Sequence, residues 1–553
     1  GAEAGKAATS ASQNVGIGRQ AYGSAGTATG YANVAVGNQA LKVVTSSIRN
    51  VAIGFQAGGA KTTGTPDVLI GAYAGGGIST QGANVMIGTY VGQNSSSDKA
   101  VYSGYQAGYY ATGDGNVYMG YQSGFGNSST NNGTYNTAIG YEAMELVQDA
   151  DENVAIGSQA MRDNTSGDGN TSVGTNALYR NTTAHHNVAV GHRAMFTSTT
   201  AAQNVAVGKG ALYDLTEGDD NVAVGKQAGS DLTTGHKNIT IGTESMRLAT
   251  TAHSSVAIGY QALDSTTVGS ENVAVGAYAG QALVGTTSSV YGGFSVFVGH
   301  TAGFQITGNV SYGGNTMVGH AAGYSATGAD RSTGIGGSAL YYADGAKYNT
   351  AVGRVAGAYA KGTGSTHVGD SSGYRISGNY NVSVGYGALS GASTGTGYGT
   401  AAENVAIGRD SLANVTSAGS NVAIGYNAGN AHTTGDDNVY IGTSAGKAST
   451  TANGNIAIGK DAMKIGAQTS SEGQNTVVGY AGYVDGTGLR NVVLGYRAAY
   501  TATSANSNVN IGYEAGQKNT TGDSNVFIGN KAGPSSTSTD SNKLYINNDE
   551  GTP

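Results

Sequence analysis

Nine histidines and 35 tyrosines carry most of the chemical potential of this chain, which has neither cysteine nor tryptophan. Disulfides and thiolate chemistry are therefore excluded, and the redox compartment leaves no trace. His192, His300 and His320 each follow a recurring glycine, and His185 adjoins His186. Imidazoles repeated along the axis of an assembly would offer a metal site, but solvated loop histidines are the simpler expectation. The stretches Gly167-Asp168-Gly169-Asn170 and Gly218-Asp219-Asp220-Asn221 have the composition of calcium-binding turns. They lack the regular GGxGxD nonapeptide of calcium-binding rolls, so solvated turns are expected instead. No Ser-His-Asp spacing recurs in a motif context, so neither catalysis nor a cofactor is expected.

Several tyrosines stand directly after the same recurring glycine, among them Tyr105, Tyr121, Tyr141, Tyr260, Tyr386, Tyr426, Tyr496 and Tyr513. A tyrosine ring presents an apolar face and a polar tip, which suits stacking on a sugar. Glycan stacking is thus one expectation for these residues; covering loop and interface area is the plainer one.

What places these side chains is a repeat. Asn421 to Asp437 reads NVAIGYNAGNAHTTGDD, and the next copies begin at Asn438 and Asn455. Anchored on its glycine (Gly425 here), the phrase occurs 31 times from Gly1 to Gly529, and 18 of the 29 intervals after Gly18 are 17 residues. A fixed short period marks a solenoid or fibre rather than a globule. The anchors of the unit, in this copy, are Asn421, Val422, Ile424, Gly425 and Ala428. Three residues before the glycine the side chain is always β-branched, and one before it is aliphatic except at Ser103. Residues i and i+2 of an extended segment share a face, so a short strand is expected with Val422 and Ile424 towards a core. Asn421 and its equivalents have short polar side chains that fix a turn or bond one another as a ladder. The glycine is expected at a corner that other residues resist. Ala in 25 of 31 copies three residues later implies close approach there. The polar remainder, such as Thr433-Thr434-Gly435-Asp436-Asp437, absorbs the extra residues of the longer units, as surface loops do.

Composition agrees. Gly is 94 of 553 residues, charged residues are only 11% and Pro occurs three times, with no linker or charge block between domains. A net charge of −7 gives no basic footprint for nucleic acid. No apolar run is long enough to insert in a membrane as a helix, and no signal peptide is recognisable. Residues 1–533 read as one repetitive shaft. Residues 534–553 read as an atypical last coil, in which Leu544 and Ile546 keep the alternation but Asn547 replaces the glycine. Gly1 already occupies the motif glycine, because GAEAG matches Gly512 to Gly516, and this suggests a piece of something longer. Strands stacked about 4.8 Å apart would build a rod on the order of 150 Å.

The NVAIG units resemble the NSVAIG-type repeats of trimeric autotransporter adhesin heads, which form left-handed parallel β-rolls in trimers. They look closer still to the longer Gly-Asn-rich repeats, with TTG-D-N loops, of tail-fibre-like proteins in bacteriophages and related bacteria. The terminal NKLYINN resembles the phrase that follows such repeats there. The resemblance implies an all-β parallel β-solenoid packed or intertwined as a homotrimer, outside the cell. It implies the shaft of a phage tail fibre whose tip, beyond this chain, meets a cell-surface glycan or protein receptor. The alternative is a bacterial surface adhesin or secreted filament whose own repeat surface binds. Small Ala sites such as Ala406, Ala423 and Ala428 are expected to let chains approach one another.

Overall fold

The computed structural model describes residues 3–5, 11–23, 28–127, 131–266, 269–283, 293–306, 313–391, 398–465, 472–484 and 486–546. Gly1, Asn547 and most of the extra residues of the longer units lie outside that set. The chain groups into two compact units, Gly1–Glu271 and Asn272–Pro553. The first holds fifteen three-residue strands, β1 (Val15–Ile17) to β15 (Val256–Ile258), and the second sixteen, β16 (Val273–Val275) to β31 (Leu544–Ile546). Within each unit consecutive strands pair in parallel, and no described residue is helical. Val422 pairs with Val439, 17 residues on, so one repeat is one coil of a β-solenoid.

The facing of the strand is the reverse of the expected one. Ala423 is fully buried, whereas Ile424 is 36% exposed and Val422 is partly exposed. The same pattern, middle residue in and flanking residues out, recurs from β2 (Val34–Val36) to β31. Period-2 alternation assigns residues to a common face but does not say which face is inner. Coil width decides that here. A 17-residue turn also points Ala428 and its successor inwards, leaving no room for two β-branched side chains per coil. Ala406, Ala423, Ala428 and Ala445 are all fully buried inside their own coils, so their small size serves the core and not the approach of a second chain.

That core trades volume between two positions. Where the middle strand residue is large, the fourth residue after the motif glycine is glycine; where it is small, that residue is usually Leu or Met. Tyr102 goes with Gly108, Tyr118 with Gly124 and Tyr440 with Gly446, whereas Ala189 goes with Met195 and Ala206 with Leu212. A Cβ placed on Gly108 would lie 2.6 Å from the ring of Tyr102. Close packing at constant volume explains the pairing.

Two backbone features fix the corner. Gly425 adopts φ +138°, and a Cβ there would stand 2.5 Å from the carbonyl oxygen of Gly442 in the next coil. Only glycine satisfies both constraints. Asn421 forms the expected ladder: its backbone N–H donates to Asn404 Oδ1 at 3.0 Å, and Asn438 N–H donates to Asn421 Oδ1 at 2.9 Å. Its Nδ2 donates to Asn404 Oδ1, Gly419 O and Gly435 O as well. A fully buried amide thus meets its bonding needs inside the stack. Val422 N–H donates forward to Asn438 O, and Gly442 N–H donates back to Ile424 O, which closes the parallel ladder.

Asp67 replaces Asn in this ladder. It still accepts from Asn84 N–H at 2.9 Å, and its second oxygen pairs with Lys61 at 2.5 Å, both side chains being fully buried. Burial pushes the Asp67 carboxyl above the usual aspartate range, against the opposing pull of Lys61.

Candidate functional site

These eight tyrosines after the motif glycine, and Tyr480 at the same repeat position, all stand on the exposed corner, 42% to 55% accessible. Coil stacking brings several into ladders. In the first unit Tyr105, Tyr121 and Tyr141 stack with centroids 5.4 and 5.2 Å apart, continuing Phe55, Tyr73 and Tyr90. In the second unit Tyr496 stacks between Tyr480 and Tyr513 at 5.2 Å on each side. Tyr386 and Tyr426 hold the Arg409 guanidinium between them, each 5.7 Å from it. Tyr260 shares the corner position but joins none of these three groups. The Glu142 carboxylate next to Tyr141 raises that phenol above its ordinary range. Tyr105, Tyr121 and Tyr141, and likewise Tyr480, Tyr496 and Tyr513, have nearly parallel rings, whereas Phe55–Tyr73 and Tyr90–Tyr105 meet edge to face.

The histidines divide into surface and core. His300 and His320 stack at 5.4 Å on the corner, and His236 and His253 lie 4.1 Å apart. Burial, and then the neighbouring His236, lower the His253 imidazole below its usual range. No cluster of three metal-ligating side chains occurs among the described residues. His367 was not singled out by its sequence context, yet it occupies the buried middle position of β21 (Thr366–Val368). Its Nδ1 lies 2.7 Å from Ser383 Oγ, which lies 2.6 Å from Ser372 Oγ, and burial lowers its pKa to about 4. With no carboxylate and no path for substrate, this Ser-His contact satisfies polar groups in the core.

The two Gly-Asp turns serve the stack as well. Asp168 Oδ1 accepts from Asp151 N–H at 2.8 Å, and its other oxygen lies 3.5 Å from His185. Asp219 Oδ1 accepts from Ala202 N–H at 2.7 Å. Their carboxylates therefore cap the loop of the preceding coil.

One concave site stands out in the first unit, a groove of about 460 Å³. Its floor and walls come from three consecutive coils: His192 and Arg193, then Lys209, Gly210 and Tyr213, then Lys226, Gln227, Ser230 and Asp231. His192, Lys209 and Lys226 occupy the position after the motif glycine in register, so the two lysine charges stack about one strand spacing apart. Among the described residues none of His192, Arg193, Lys209 and Lys226 forms an ion pair. The signal was present in the sequence, as basic residues at one repeat position of adjacent units, but position alone did not disclose the hollow beside them.

No protein-family model matches the chain, and no curated protein matches it either. Among the described residues no helix is long and apolar enough to cross a membrane.

Proposed function

We propose that this chain is a shaft segment of a homotrimeric extracellular fibre, a phage tail fibre that holds a host-binding tip away from its base. The observation that carries the reading is the outward facing of the strands. Rows of Val, Ile or Leu run along each unit, broken at Ser103 and by Thr at the first position of seven strands, with Ile53, Ile87, Ile156 and Ile258 37% to 43% exposed in the first. Leu494, Ile528 and Ile546 continue the pattern in the second. A contiguous apolar stripe of this kind on an isolated chain is an association surface. Covering what remains exposed of two such side chains adds roughly 1 kcal/mol per coil, which accumulates over many coils. The occupant of matching length and period is a further copy of the same chain.

Light scattering on the purified chain tests this: a folded particle of three times 54.9 kDa is expected. A folded, monodisperse monomer would overturn the trimer. Antibody labelling of native particles in the electron microscope tests the setting. Label on a virion tail supports the shaft reading, whereas label on a bacterial surface favours the adhesin. The exposed tyrosine ladders are the feature that favours that second reading, since they equip the repeat surface itself to bind.

A further inference from the structure

The groove of the first unit lies where an aromatic ladder stops. Tyr179, Phe196 and Tyr213 stack at 5.1 and 5.2 Å with nearly parallel rings. The next rung, 17 residues on, is Ser230, whose short side chain turns to Asp231 Oδ1 at 2.6 Å. One face of Tyr213 is therefore left without a partner ring, on the side that opens into the groove. Gly210 widens the same space. The equivalent position carries Arg193 in the preceding coil and Gln227 in the following one, and all three residues have positive φ. A Cβ on Gly210 would meet nothing nearer than Gln227 Cγ at 3.8 Å, so packing does not demand glycine there.

The groove beside this ring face is lined by Lys209 and Lys226, and the preceding coil adds His192 and Arg193, whose guanidinium lies 5.6 Å over Phe196, in a chain whose net charge is −7. The like charges of Lys209 and Lys226, in register on adjacent coils, repel, so the arrangement favours a bound anion. Asp231 enters the same groove and would oppose a polyphosphate or a nucleic-acid backbone, but it accepts hydrogen bonds from hydroxyls. Gln227 and Ser230 add further polar contacts.

We propose that this groove binds a carboxylate-bearing sugar, such as a uronic acid residue of a polysaccharide. The sugar ring takes the rung missing at Ser230 and lies against Tyr213. Its carboxylate faces Lys209, Lys226 and Arg193, and its hydroxyls meet Asp231 and Gln227. The site belongs to the corner of the coil and not to the Val and Ile rows.

Titration calorimetry of the full chain at low salt, with a galacturonate trimer as probe, tests the proposal. Maltotriose and inorganic phosphate serve as the neutral sugar and the bare anion. The trimer should bind, with each control weaker by about tenfold or more. Ser230→Tyr supplies the missing rung, and Gly210→Gln copies the side chain already accommodated at Gln227; each should lower trimer affinity by about tenfold. Lys209→Gln combined with Lys226→Gln should do the same and should flatten the salt dependence. Should Ser230→Tyr fold poorly, Gly210→Gln alone carries the filling test. The proposal is overturned if the trimer fails to bind at millimolar concentration, or if maltotriose or phosphate binds as tightly. It is equally overturned if the filling variants fold and bind like the wild type.

Discussion

Two stretches of the first unit, residues 67–124 and residues 153–246, show how differently one backbone can be filled. In the second the Asn ladder is unbroken from Asn153 to Asn238, and small residues in mid-strand pair with Leu or Met at most corners. In the first the ladder carries Asp67 and Ala100, and the mid-strand residues are Leu69, Met86, Tyr102 and Tyr118 with glycine at every corner. The backbone pairing is the same in both. Side-chain volume is therefore exchanged between the two positions of a coil at these sites, and a substitution there has to be judged against its partner.

The largest break should come at the buried ion pair. Lys61→Met leaves the Asp67 carboxylate buried without its partner, and a loss of about 3–5 kcal/mol at neutral pH is expected from denaturant unfolding. The sign with pH follows from the raised carboxyl pKa. The contribution of Asp67 to stability is complete in acid, below the ordinary aspartate range, and is lost as pH rises through the raised value. The variant should therefore recover towards wild type in acid. Lys61→Met with Asp67→Asn should restore the ladder and remove that pH dependence.

Next in size, Tyr102→Ala should cost about 3–5 kcal/mol by opening a cavity. Adding Gly108→Leu, which converts the coil to the packing of Ala206 with Leu212, should return most of it. Gly108→Leu alone should destabilise by about 1–3 kcal/mol through overpacking. If the double variant is as unstable as the sum of the singles, volume exchange is not the rule of this core. Hydrogen exchange at the affected coils gives the local readout.

A smaller loss is expected in the regular stretch. Asn204→Ala removes the acceptor of Asn221 N–H, a buried 2.8 Å bond, at about 1–3 kcal/mol. Smallest of all in the isolated chain is Ile156→Ser, within about 1 kcal/mol, because this side chain is already 39% exposed. Its effect should grow several-fold in an assembled trimer, and sedimentation of wild type against variant reads the difference.

The repeat length, the strand, the corner glycine and the Asn ladder were all legible in the sequence, because each depends on local backbone demands. The facing was not. Val422 and Ile424 are the more hydrophobic pair, and only the coil's cross-section shows that Ala423 is the residue admitted. The pairing of Tyr102 with Gly108 was written in the sequence too, but reading it requires knowing that both point inwards. The tyrosine positions were legible as a row, whereas the basic groove was not. A hollow made by Gly210 and Ser230 consists of side chains that are missing, and absence acquires meaning only beside Tyr213 and Lys226 in three dimensions.

The Asn ladder runs in one sense only. Where Asn recurs, the later coil donates its backbone N–H to the amide oxygen of the coil before it, as Asn421 does to Asn404 and Asn438 to Asn421. Each Asn-to-Asn junction is thus a plug entering a socket, and junctions of this type are interchangeable. Excising Asn421 to Asp437 would bring the plug of Asn438 to the socket of Asn404, so the ladder would close across the seam. Unequal recombination between repeats can consequently add or drop whole coils without a folding defect at the joint. Length in such a chain is free to drift by integer steps under selection, much as a tandem repeat in DNA does.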